Sequence, residues 1–295
     1  MMRGVWLFVL VVLIGTVVCL TGGEARAAGG HDGSGTPNPI EHVLDEELVP
    51  FRVGGISLFT KYMLLELITA ILILLIFIPL ARRMQSGEPP RGAWDNTFEV
   101  LLTFIRDEVA KPNLGEHDAD RYVPFLWTMF LFVLFCNLLG MIPYAGSPTA
   151  NIYATGGMAL CSFFAIHAAA VAKMGLVPYL KSLWPHLDIP IPVAGFIIKL
   201  MICVIEIVGN FIKGGVLAVR LFANMLAGHS VLAMIMLFII MANQLVLGLW
   251  MTITVGSVLG VVALSLLELF VAFLQAYIFV FLTALFMGMA VHPQH

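Results

Sequence analysis

Residues 199–229 read KLMICVIEIVGNFIKGGVLAVRLFANMLAGH. The stretch is apolar enough for a bilayer, yet it carries Lys199, Glu206, Lys213, Arg220 and His229. A charge at the bilayer centre costs about 2.5–3.5 kcal/mol on insertion scales, so each of these residues needs a physical account. The first four recur at seven-residue spacing, which on an α-helix makes one stripe that drifts only about 20° per repeat.

Working outward, the run without a polar break extends from Val193 to Met241, and a second runs from Leu245 to Val291. As a single helix the first would be about 73 Å long, against a hydrocarbon core about 30 Å thick. Two arrangements meet that mismatch. Each run is either a tight pair of spans, the first hinged at Gly209, Gly214 or Gly215, or one long helix lying steeply tilted. The short connector at Ala242 to Gln244 argues that the two runs form an antiparallel hairpin.

The rest of the chain is of the same kind. With 60% hydrophobic and 11% charged residues and a mean hydropathy of +0.99, it is a polytopic membrane protein, and its medium is the lipid bilayer. The net charge of −3 and the lack of a long basic run give no footprint for nucleic acid. Cys19, Cys136, Cys161 and Cys203 stand in apolar runs without CxxC or Cys/His spacing and read as small packing residues. No cofactor motif occurs.

Residues 1–27 have Arg3, an apolar core from Val5 to Leu20 and a terminal Ala25-Arg26-Ala27, the pattern of a cleaved signal peptide. Residues 28–58 are then expected to be an external N-terminal segment, and 59–295 the membrane domain, with its long hairpin over 193–291. Three further spans are expected at about 62–80, 122–142 and 152–172, which makes about five transmembrane helices in an all-α fold. Glu66, near the start of the first, can still reach the interface and receives no role. An amphipathic piece is expected from Phe98 to Val109, and the prolines of residues 181–192 predict a loop. Lys and Arg follow spans one and three, while the loops at 144–151 and 242–250 carry neither. The hairpin tip and the N-terminus are therefore external, and the C-terminus is cytoplasmic.

A hairpin centred near residue 248 pairs positions whose numbers sum to about 496, which sets Arg220 level with Gln275 and His229 level with Glu268. His and a desolvated carboxylate are the pair best able to exchange protons near neutral pH. Together below an external surface they suggest a proton access path; the bland alternative is an ion pair holding two helices. Arg220 is permanently charged and acts only as a fixed positive charge that repels protons and discharges a carboxylate brought beside it. Pairing it with Glu206 is poor geometry at about 21 Å along a helix. Nine residues turn a straight helix through about 900°, so Arg220 and His229 point to opposite faces and the two pairings cannot both be close contacts across one flat interface. Arg220 is expected to face a partner, and His229 a hydrated cleft among the chain's own helices.

Leu217 to His229, LAVRLFANMLAGH, resembles the most recognisable segment of subunit a of F-type ATP synthases, with support from FCNLLGMIP at Phe135 to Pro143 and LQAYIFVFLT at Leu274 to Thr283. The resemblance puts the family's essential arginine on Arg220, its polar companion on Asn224 and the glutamine of its last helix on Gln275. The access-channel acid and histidine fall on Glu268 and His229, exchanged between the two helices relative to the best-known bacterial members. Glu206 matches a further acidic position that lines the cytoplasmic half-channel. Lys199 and Lys213 need no role beyond reaching the cytoplasmic interface. The resemblance further implies a steeply tilted hairpin, a ring of c subunits and the b subunits of the peripheral stalk as partners, and the bacterial inner membrane as location. The subunit itself would not be an enzyme, and the chain lacks the P-loop pattern GxxxxGK[ST]. The alternative is a self-contained proton-coupled secondary transporter with Arg220 binding an anion. It predicts inverted repeats and a midplane pocket, and no convincing repeat is present. HExxH and GxSxG, which an intramembrane protease would use, do not occur.

Overall fold

The computed structural model describes residues 52–53, 56–57, 61–85, 92–142, 147–182, 192–242 and 247–292. The expected leader over 1–27, with Cys19, and all but a few residues of the 28–58 segment lie outside them. An antiparallel bridge of two-residue strands, β1 (Arg52–Val53) and β2 (Ile56–Ser57), pairs Arg52 with Ser57 and Val53 with Ile56. The other described elements are all helices.

Helix α1 (Lys61–Gln85) buries Tyr62, Glu66, Thr69 and Ile73, a stripe at helical spacing. A connector follows as α2 (Ala93–Phe104), a π-helical turn (Ile105–Ala110) and α3 (Lys111–Leu114). The amphipathic piece expected over Phe98–Val109 thus begins earlier, at Ala93, and is relayed through a π turn that buries Ile105, Val109 and Ala110 together. Trp127 Nε1 donates to the Leu102 carbonyl at 2.8 Å and ties this connector to the bundle.

Helix α4 (Glu116–Gly140) starts six residues before the expected Tyr122. Gly115, at φ 80°, breaks the chain, and Glu116 and Asp118 occupy the first turn, where the helix dipole favours acids. Its apolar half is the centre of the bundle, with Leu126, Met129, Val133 and Cys136 essentially inaccessible. A 3-10 turn (Pro148–Ala150) leads into α5 (Ile152–Met174), whose N-cap Asn151 accepts a bond from the Tyr153 amide at 3.1 Å. Helix α6 (Leu176–Ser182) is short; residues 183–191 of the expected proline loop lie outside the described residues.

Helices α7 (Pro192–Ala242) and α8 (Leu247–Val291) form the antiparallel hairpin, packed on each other and on α4 and α5. Pro192 opens α7 at a position where its missing N–H costs nothing. The helix is continuous through Gly209, Gly214 and Gly215, which decides between the two arrangements: each apolar run is one helix. At 51 and 45 residues they are about 76 and 68 Å long, so they must lie steeply tilted across a core about 30 Å thick. Much of the hairpin's apolar surface is exposed on the chain alone, including Phe211, Ile212, Val219, Phe238, Leu266 and Phe270. A surface of that kind requires lipid or another subunit against it.

The ends of the bundle are distinct. At one, Lys173 of α5 pairs with Asp118 of α4, and His292, just beyond α8, lies 3.1 Å from both the Asp118 carboxylate and the Lys173 amine. At the other are the turn after α4, the start of α5 and the hairpin tip. Cys136 and Cys161 are buried free thiols, and Cys203 is half-buried.

Candidate functional site

On α7 the residues Leu217, Leu221 and Met225 are buried at four-residue spacing and form the face that meets the bundle. Arg220 falls one position off that line and is exposed. Asn224, one turn beyond it, is half-buried. Gln275 of α8 is buried, and its Nε2 donates to the main-chain carbonyl of Arg220 at 3.0 Å. The level expected from the hairpin register is correct, but the contact is with the backbone. A carbonyl has two lone pairs, so it takes this bond in addition to its own helical one. The guanidinium stays on the outward face.

Nine residues further on, His229 points into the bundle, and its Nδ1 lies 3.8 Å from Glu268 Oε1. Both side chains are largely sheltered, with 15% and 9% of their surfaces exposed. That separation is an ion-pair contact, too long for a hydrogen bond. Among the described residues, neither His229 Nε2 nor Glu268 Oε1 has a hydrogen-bond partner. Buried polar atoms are seldom left so, and such atoms are suited to holding water or a moving proton.

Both pairings are therefore close contacts at once. Side chains meeting across one flat interface could not make both. Gln275 reaches the inner backbone of a residue whose side chain faces out, and this removes the conflict. Gly228 makes the second pairing feasible, because a Cβ there would stand 2.7 Å from Glu268 Oε1.

The other members of the stripe separate. Lys213 is exposed, bonds Asn210 Oδ1 at 3.4 Å and lies 5.2 Å above the Phe286 ring. Lys199 is half-buried. Glu206 lies within α7, with its side chain outside the described set.

Two features were not singled out from the sequence. Asn137 of α4 is fully buried and donates to the Ala272 carbonyl of α8 at 3.2 Å, while its Oδ1 accepts from Thr149 Oγ1 at 2.8 Å. Thr149 has one hydroxyl proton, so in its 2.7 Å contact with Ser147 the serine is the donor. Glu66, given no role because it stood near an interface, is only 3% exposed: the stripe it shares with Tyr62 and Thr69 faces α4. Period-3.6 spacing around Glu66 was the available signal.

The sequence model of the family described as ATP synthase A chain matches residues 63–288, which include the whole of this site. The chain belongs to that family. It is 39% identical over 264 residues to ATP synthase subunit a of Myxococcus xanthus, covering 89% of this chain and 82% of that protein. It is 35% identical over 294 residues to ATP synthase subunit a 2 of Chlorobaculum tepidum, covering 93% and 80%. Identity to ATP synthase subunit a of Anaeromyxobacter dehalogenans is 41% over 230 residues, 78% of this chain and 57% of that longer relative. Family membership makes the chain a multi-pass membrane component of an ATP synthase, in the F0 sector, serving ATP synthesis and proton transport.

Proposed function

We propose that this chain is the proton-conducting stator subunit, with two offset half-channels and Arg220 between them. The observation that carries the reading is the pair of contacts at adjacent levels of one hairpin. His229 and Glu268 are sheltered and 3.8 Å apart with unbonded polar atoms, while the Gln275 bond to the Arg220 carbonyl leaves the guanidinium on the exposed face.

Protons from the external side reach His229 and Glu268 and pass to a carboxylate on a ring of c subunits lying against the outward face of α7. After the ring has turned, Arg220 approaches that carboxylate and favours its ionised form. The proton leaves by the cytoplasmic half-channel, with Glu206 on its wall. Asn224 continues the polar line of Arg220 along α7. A fixed guanidinium cannot relay the proton, so it blocks direct leakage between the half-channels. Each charge moved is worth about 2.3 kcal/mol per 100 mV of membrane potential, and the b subunits of the peripheral stalk hold this chain against the torque. The Lys173, Asp118 and His292 end faces the cytoplasm of a bacterium, the hairpin tip faces outward, and the membrane is the inner one.

The deciding experiment is Arg220→Ala in the assembled complex, assayed for ATP-driven proton pumping and for crosslinking from the outward face of α7 to a small carboxylate-bearing subunit. Coupled pumping is expected to vanish while the crosslink persists. Normal pumping, or no such neighbour, overturns the reading.

A further inference from the structure

Glu66 is a buried carboxyl in a membrane-spanning helix that the mechanism above does not use. Its exposure is 3%, and its neighbours on the same stripe, Tyr62 and Thr69, are equally enclosed. A buried ionisable residue in a membrane-spanning helix is costly and is retained where it lines a path or binds a partner charge. The residues around it form such a path.

Thr69 Oγ1, one turn from Glu66, donates to the Leu65 carbonyl at 2.8 Å and accepts from Cys136 Sγ of α4 at 3.8 Å. Glu66 shares the buried face of α1 with Thr69, the face that packs on α4. Cys136 and Asn137 are consecutive, so they leave α4 in different directions, the first toward α1 and the second toward the Ala272 carbonyl of α8. Ala272 is one helical turn from Glu268. Thr149 and Ser147 of the adjoining turn, which packs against α1 as well as α4, complete the crossing. Polar groups therefore stand on both sides of α4 near the turn that follows it, Cys136 toward Thr69 on the buried face of α1 and Asn137 toward the Ala272 carbonyl of α8, one helical turn from Glu268.

We propose that Glu66 is a further proton-binding group of the external access path, upstream of His229 and Glu268. It takes a proton from the external aqueous phase as a carboxylate, becomes the neutral acid and returns to carboxylate when that proton moves inward along the polar crossing. No other bond changes. This rests on the half-channel reading. Among the described residues of the elements packed on α1, Cys136 of α4 is a titratable group on the side facing Glu66, and the turn at 147–150 adds the hydroxyls of Ser147 and Thr149. Tyr62 is its titratable neighbour one turn away on α1.

The test uses the whole ATP synthase in proteoliposomes, with synthesis driven by a proton gradient and its rate followed against the pH of the external side. Glu66→Gln, close to isosteric, is expected to lower the rate at least about tenfold and to shift that pH dependence. Glu66→Asp should keep most of the rate. Glu66→His should move the pH dependence upward, since imidazole titrates about two units above a carboxyl. Parental rate and profile in Glu66→Gln overturn the proposal. So does a slow variant with an unshifted profile, because that is a packing defect. If Glu66→Gln does not assemble, the Asp and His variants decide, and identical profiles in those two overturn it. Arg220→Ala in the same vesicles reports separately on the half-channels: coupled synthesis there removes the broader reading whatever Glu66 does.

Discussion

Gln275 is bonded to the main chain of Arg220 and not to its guanidinium, at 3.0 Å. The bond sets the height of α8 against α7 at the one rung where the fixed positive charge is mounted. It does so without occupying the charge, which keeps its donors for whatever lies outside. Interhelical hydrogen bonds in membranes are worth about 0.6–2 kcal/mol, enough to hold one register against a slip.

Gln275→Leu removes that donor at nearly constant volume. ATP-driven pumping should fall several-fold with the complex still assembled. Parental pumping by Gln275→Leu would mean that packing alone sets the level.

His229 and Glu268 should behave as one unit. His229→Glu and Glu268→His, made singly, place two acids or two imidazoles together and should each depress proton conduction strongly. The double exchange should recover part of it, by an interaction of about 1–3 kcal/mol. Additive losses in the four-way comparison of pumping rates would argue that the two act independently.

Gly228→Ala puts a methyl group 2.7 Å from Glu268 Oε1. The obstructed atom is the tip of a flexible side chain, so the helices need not move and the subunit should assemble. The carboxyl must rotate away from His229, and conduction should drop with a changed dependence on external pH. An unchanged pH profile would count against the assigned position of Glu268.

Gly288→Ala is the contrasting case. Its Cβ would come within 2.0 Å of the Asn113 main-chain oxygen, which a rotamer change cannot relieve. Overpacking of that kind costs about 1–3 kcal/mol or more, so subunit levels in the membrane should fall and the docking of α3 on α8 should loosen. Immunoblotting of membranes together with protease accessibility of the connector would measure both.

A good part of this molecule was legible in residue order. The membrane class follows from composition, and the helix spans from apolar runs, because lipid forces each span to satisfy its own backbone. The register of Arg220 with Gln275 and of His229 with Glu268 followed from counting outward from a short connector, since two straight helices joined tightly must meet level by level. Where a charge stands on a helix is likewise a matter of spacing alone.

Which neighbour each side chain meets was not contained in that spacing. Hydropathy left a hinged pair of spans and one long helix equally open for residues 193–241, because glycine permits a bend without requiring it; in the folded chain α7 runs through all three glycines as one helix. Glu66 looked able to reach the interface until the rest of its stripe turned toward α4. The Asn137 bond to Ala272 joins residues 135 positions apart. Gly288 acquires its importance from an oxygen of Asn113, a residue in a different helix. Local pattern specifies what each helix is and which way its faces point. The contacts that make the faces chemically useful arise only when helices distant in the chain pack and exclude lipid from between them.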